Sequence, residues 1–557
     1  MIRSVSQPVL PFFLLLCLAF PALTAGCVVQ APPAVEANPL PQPVPTQPAP
    51  TPTQPPEPVL FLSPQLPDGL VDQILFPANW AVTSQPEAAN MTINISPENP
   101  HSLLIYALAA PFNTIEDSLS TAELTSIWQG QTTDDLDPLK LLVSPQTKTV
   151  LEVIWGPASP QVLISYEEDL LAQAWQEDQL WAILPFEELE PGWKVMEIDG
   201  QSPIRKDFDP AAYALGIPVS IHLGTNADPA WLEAIDMPDS NRDPALLTTV
   251  NLTGVTALVR ATAAMMELRG YTYPAQSIRN ILREADITHV NNEVPFTERC
   301  PKPGAPTDSL VFCSRPEYIQ LLEDIGTDVV ELSGDHFQDW GPEAVLETLD
   351  MYKQRNWPYY GGGENLEDAQ QPALFEINGN KIAFLGCNAK PRGYSGATET
   401  SPGAMHCEMD WMEDQVRQLR QQGYLPIVTF QHLEYYSYHI HPILQEDFQK
   451  MAKAGAVIVS GSQSHQPHGI ELTRETFMHY GLGNLFFDQY YESLETRQAF
   501  IDRHVFYNGR YISTELLSIV FTDYAHSEPM SLEERQALLE TVFKASQWEW
   551  LATAEID

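Results

Sequence analysis

The sequence predicts an α/β protein with two folded regions behind an exported N-terminus. Three observations carry that reading. Between residues 246 and 525, strand and helix signals alternate, which argues a parallel or mixed sheet with helices on its faces. Residues 59–245 mix short strands with amphipathic helices and read as a smaller α/β region. At 557 residues the chain is also too long for one hydrophobic core, so two folded units or more are expected.

The N-terminus sets the compartment. Arg3 is the only charge before an apolar run from Val9 to Phe20, too short to span a bilayer and followed by small residues, as in a signal peptide. Leu23-Thr24-Ala25-Gly26-Cys27 resembles a bacterial lipobox, with Thr24 departing from the preferred residue, so residues 1–26 read as signal and Cys27 as the lipidated N-terminus. Residues 27–58 form the tether. Its 12 prolines, without Lys or Arg, favour extended chain at about 3 Å per residue and cannot build a core.

With 29 basic against 73 acidic residues and a formal charge of −44, the chain is a poor partner for nucleic acid and other polyanions. Beyond Cys17 and Cys27, four cysteines remain and allow three pairings. None has CxxC spacing, so structural disulfides of an exported protein are expected; nearest-neighbour pairing, Cys300 with Cys313 and Cys387 with Cys407, closes short loops.

In the first region, strands are expected at Val59 to Ser63, Met91 to Ile95 and Val150 to Trp155. Ser120 opens a helix that places Leu124, Ile127 and Trp128 on one face. Its Trp128-Gln129-Gly130 end, together with Trp181 to Phe186 and Lys194 to Gly200, resembles segments of periplasmic substrate-binding proteins. The likeness is patchy and assigns no ligand residues.

In the second region, strands are expected at 286–290, 328–333, 426–430 and 456–460, and helices at 316–325, 342–355, 408–422 and 442–454. Asn378-Gly379 joins strands 372–377 and 381–386 by the strongest two-residue hairpin signal. The tail 526–557 holds a final helix, opened by Ser531 with Glu534 three residues on. Gly361-Gly362-Gly363 lacks the Gly-Lys-Ser/Thr of a phosphate loop and reads as a turn, and His439 and His441 read as a solvated loop.

Open α/β sheets bind ligands at the carboxyl ends of their strands. After four of these strands come Asn291-Asn292-Glu293, Gly334 to Asp339, Gln431 to Glu434, and Gly461 to His468. Each delivers a carboxylate or an imidazole, and only 13 histidines are present to be placed. Those are metal-ligand and acid–base side chains, gathered at one edge.

The same residues resemble the motifs of the CapA family, whose members serve in making or anchoring capsular poly-γ-glutamate. Asn291-Asn292-Glu293 is similar to its Asn-Leu-Glu, and Gly334 to Gly341 to its Asn-Asn-His-x-x-Asp-x-Gly. Gly361 to Ala369, Gly379 to Gly386, Gly455 to His465, and Tyr480 to Asp488 follow in family order. The resemblance implies a metallophosphatase-like αββα sandwich over 246–525. It implies Glu293, Asp335, His336, His432 and His465 as ligands of a divalent metal (Mn, Zn or Mg), with Asp335, His336 and His432 as catalytic candidates. It also implies a partner that is a cell-envelope polymer or small ligand, while the signal and the lipobox-like Leu23 to Cys27 imply an extracytoplasmic site of action and membrane contact through the lipid. The departures are specific: Val255 stands where the family opens with aspartate, Gln463 where it has histidine, and Asp335 where it has asparagine. One metal position is therefore expected to be weakened or lost.

The N-terminal reading makes a direct prediction. Radiolabelled palmitate should enter the full chain expressed in a bacterial host and should not enter the Cys27→Ser variant; equal labelling of both would overturn it.

Overall fold

The computed structural model describes residues 57–548, apart from 132–138, 226, 304–309 and 392–394. The signal, Cys27 and nearly all of the tether lie outside the described residues. The described residues belong to one compact unit.

Its first part is a mixed sheet with Met91–Ile95, Gly216–Leu223, Pro100–Pro111, Leu180–Pro185 and Lys140–Val143 in that spatial order. Met91, Ile93 and Ile95 are buried while Thr92 and Asn94 are half-buried, the period-two pattern of a strand with one face inward. Thr121–Gln129 is helical, closed by a capping box from Ser120 and Glu123 and burying Leu124, Ile127 and Trp128. One expectation fails. Val150 to Trp155 is the end of a helix, Pro145–Trp155, rather than a strand. The Ser144 hydroxyl accepts from Thr147 N–H and Pro145 occupies the first turn, and those start signals outweigh the β-branched residues further along.

The second part is built from two sheets. The first contains β1 (Leu247–Thr253), β2 (Ile287–Asn292), β3 (Val329–Glu331) and β4 (Tyr359–Tyr360), parallel to one another. The second contains β5 (Ala373–Ile377), β6 (Asn380–Asn388), β7 (Leu425–Gln431), β8 (Ile458–Ser460) and β9 (Phe477–His479). Strands β6 to β9 are parallel, and β5–β6 is the expected hairpin, with Asn378 and Gly379 both at positive φ. The long antiparallel pair β10 (Gln498–Tyr507) and β11 (Arg510–Thr522) continues the first sheet beyond β1.

Helices α1 (Arg260–Arg269), α2 (Ile319–Asp324) and α3 (Pro342–Arg355) pack on the outer face of the first sheet through Met266, Leu321, Val345 and Leu349. Helices α4 (Met409–Gln421) and α5 (Pro442–Ala454) cover the outer face of the second through Met412, Val416, Phe448 and Met451. Val250, Ile287, Val329, Phe384, Ile427 and Ile458 fill the space between the sheets. The layers therefore run helix, sheet, sheet, helix. Helix α6 (Leu532–Ala545), opened by the Ser531–Glu534 capping box, adds Leu538, Leu539 and Val542 to the central core.

Polar contacts cross between the sheets and fix their mutual register. The Tyr360 hydroxyl on β4 lies 3.0 Å from the Thr429 hydroxyl on β7, and His479 Nδ1 on β9 lies 2.6 Å from Asp502 Oδ2 on β10. Such buried pairs need tight geometry to offset the cost of desolvation, so they tolerate little sliding of one sheet over the other. The two parts of the unit are also tied by charge. Arg535 Nε and Nη2 reach Asp117 at 2.8 and 2.9 Å, and Arg205 Nε reaches Glu515 at 2.8 Å.

Cys300–Cys313 and Cys387–Cys407 are both disulfide-bonded, with Cα–Cα separations of 5.8 and 5.0 Å. Two such bonds place the folded part in an oxidising, extracytoplasmic compartment. No helix among the described residues is long and apolar enough to cross a membrane.

Candidate functional site

The carboxyl ends of β2, β3, β6, β7 and β8 open on one cleft of about 1560 Å³. Glu293 follows β2, Asp335, His336 and Asp339 follow β3, Lys390 follows β6, Glu434 follows β7, and His465 follows β8; all of them line it. Glycine makes this convergence possible. A Cβ on Gly334 would stand 2.6 Å from the Glu293 carbonyl oxygen, so only glycine lets the β3 loop approach the end of β2 so closely.

Glu293, Asp335 and His336 offer ligand atoms that lie within 4.8 Å of one another. Asp335 and His336 already have partners. Lys390 Nζ donates to Asp335 Oδ2 at 2.7 Å and to Glu434 Oε1 at 2.5 Å, while Gln431 Nε2 donates to Asp335 Oδ1 at 2.7 Å. His336 Nδ1 is 2.7 Å from Asp339 Oδ2, which also accepts from Phe312 N–H.

Burial pushes the Glu293 carboxyl up to about 8, with the negative charge of Asp335 adding to it. Burial opposes charge on His336 too, yet its hydrogen bond to Asp339 and the nearby carboxylates win and raise it to about 9. At neutral pH the cleft thus presents a neutral Glu293 and a cationic His336. Burial works against the charge on Lys390, Asp335 and Glu434 alike. Attraction wins, from the carboxylates on Lys390, from Lys390 and His336 on Asp335, and from His465 and then Lys390 on Glu434, holding the lysine above and the carboxylates below their ordinary values.

His465 is the reverse case: burial lowers its pKa. Asn484 Nδ2 donates to two backbone carbonyls, so its Oδ1 is the acceptor and His465 Nδ1 the donor across 2.9 Å. The lone pair on His465 Nε2 is left free, 3.7 Å from Glu434 Oε2.

His432 does not join the cluster. It follows the last residue of β7, so its side chain takes the opposite side from Gln431. Its Nε2 lies 3.2 Å from Asp447 Oδ2 on α5 and its Nδ1 accepts from Leu433 N–H. The strand-end side chain that reaches Asp335 is Gln431. Lys390 carried no assignment from sequence, because the hairpin strand was expected to stop at Gly386; β6 runs on to Asn388 and delivers the lysine two residues later.

Two of the three positions that depart from the CapA pattern, Val255 and Gln463, supply no anionic or imidazole ligand. Val255 is fully buried among Ala257, Val259, Val294, Phe312 and Phe487. Gln463 is buried with neither amide atom hydrogen-bonded. A metal pair needs several anionic or imidazole donors around two ions, often with a bridging carboxylate. The residues present do not fit one.

Fold and cleft together define an α/β protein with a charged strand-end site. Residues 249–489 match the family model for bacterial capsule synthesis protein PGA_cap. The chain is 23% identical to the capsule biosynthesis protein CapA of Bacillus anthracis over 54% of its own length and 73% of the relative's. It is 23% identical to the PGA biosynthesis protein CapA of Bacillus subtilis strain 168, over 50% and 73%. Among solved structures, it is similar to the 5'-nucleotidase precursor of Thermus thermophilus, at 13% identity and TM-score 0.32, over 53% of this chain and 58% of that one. It is also similar to an ABC-type phosphate transport receptor of Vibrio cholerae, at 15% identity and TM-score 0.26, over 32% and 91%.

The raised pKa of Glu293 has a consequence for stability. Below its ordinary value of 4.5 the carboxyl is protonated both folded and unfolded, and burial costs nothing extra. As pH rises towards 8, the unfolded chain ionises and the folded one does not, so stability falls. Glu293→Gln should therefore match wild type near pH 4.5 and exceed it by roughly 2–4 kcal/mol near pH 8 in denaturant unfolding. An equal difference at both pH values would contradict this.

Proposed function

We propose that the chain is an extracytoplasmic, lipid-anchored protein that engages a capsule-type envelope polymer in this cleft and serves in its synthesis, export or anchoring. The single observation that carries the reading is coincidence of family and site. The segment matched by the PGA_cap model, 249–489, contains Arg260, Glu293, Asp335, His336, Lys390, Glu434 and His465 of the cleft. The basic groups of the cleft, Arg260, Lys390, Lys544 and cationic His336, lie among the carboxylates Asp335, Asp339, Glu434, Glu492 and Glu495, so the class of polymer is taken from the family match and not from the charge of the cleft.

The donor set favours binding over metal-dependent hydrolysis. Val255 and Gln463 supply no anionic or imidazole ligand, and Asp335 is engaged on both oxygens by protein groups. We assign no hydrolytic step to the cleft. Residues 59–245, with a sheet of their own and a core that also takes in Leu247, Val505, Tyr507 and Ile512, serve in this reading as a solute-binding-like domain.

Gene deletion in the source bacterium tests the proposal. Surface polymer, measured as glutamate and hexose released by acid hydrolysis of washed cells, should fall several-fold. Wild type should restore it and Cys27→Ser should not. Unchanged surface polymer after deletion would overturn the function, and full rescue by Cys27→Ser would overturn the role of the anchor.

A further inference from the structure

We propose that Lys390 is the resident cation of this site, supplying from the chain itself the positive charge that a bound metal ion would supply. This concerns the chain's own charges and stands whichever polymer enters the cleft.

The ammonium is placed between two carboxylates from different strand ends, Asp335 after β3 and Glu434 after β7, at 2.7 and 2.5 Å. That is where a divalent ion bridging the strand ends would do its electrostatic work, since it too must draw ligands from separate strands. The lysine is a built part of the site. Only 13% of its side chain and 11% of that of Asp335 are exposed, so the pair is shielded from water and salt.

Its backbone is held as well. Lys390 N–H donates to Asn388 Oδ1, and Asn388 Nδ2 donates to the Ser333 carbonyl, which ties the β6 end to the β3 end. Cys387, three residues earlier, is locked to Cys407. The remaining oxygen of Asp335 is taken by the Gln431 amide, a neutral donor that further reduces its capacity to ligate. Val255 and Gln463 are uncharged and buried, and neither lines the cleft. A metal ion entering here would have to displace a tethered ammonium and meet it at close range, a like-charge contact in a shielded site.

Metal titration of the full chain tests the assignment. Wild type should show no saturable Mn²⁺ binding by calorimetry, and neither Mn²⁺ nor EDTA should move its melting temperature. Lys390→Met leaves Asp335 and Glu434 without their partner, so it should bind Mn²⁺ roughly tenfold or more tightly than wild type and be stabilised by it. Lys390→Arg keeps the charge and should behave as wild type. If Lys390→Met does not fold, Lys390→Met with Asp335→Asn removes a carboxylate along with the ammonium and should fold without gaining Mn²⁺ affinity. Saturable Mn²⁺ binding by wild type, destabilisation of wild type by EDTA, or a folded Lys390→Met that binds Mn²⁺ no better than wild type would each overturn the assignment.

Discussion

Parallel strands that end together deliver their next residues to one place, and here the ends of three different strands each deliver a carboxylate. Glu293, Asp335 and Glu434 would repel one another in a cleft shielded from water. Two devices relieve that repulsion. Glu293 keeps its proton, and Lys390 sits between the other two. The site's shape follows from both, because neither works unless the ends of β2, β3, β6 and β7 are held in fixed relation. The Tyr360–Thr429 and His479–Asp502 contacts between the sheets, the close approach at Gly334 and the Cys387–Cys407 bond provide that hold.

The architecture was legible where local signals are strong. Asn378-Gly379 announced the β5–β6 hairpin, Pro342 opened α3, and the Ser531–Glu534 pair opened α6, each by chemistry that needs no distant partner. Val150 to Trp155 misled because its apolar run fits either period, and the cap that decides it, Ser144-Pro145, lies upstream.

The site was legible in outline and not in detail. Strand ends pointed to Glu293, Asp335, His336 and His465, since the rule that places ligands there depends only on sheet topology. It could not say which of two neighbouring residues faces the cleft, and so it pointed to His432 where Gln431 is the one turned inward. Nor could it find Lys390, because a lysine looks like any surface base until the partner carboxylates are in place. The family likeness had the same limit. It identified the departures at Val255 and Gln463 but not the lysine, which comes from a different strand end.

The match to the PGA_cap model and the charge arrangement support the proposal of an envelope-polymer protein whose strand-end site relies on an internal cation. The most direct test is elemental analysis of the full chain purified without chelators. The account predicts well under one equivalent of manganese, zinc or magnesium per chain. Two tightly held equivalents that survive gel filtration would contradict it.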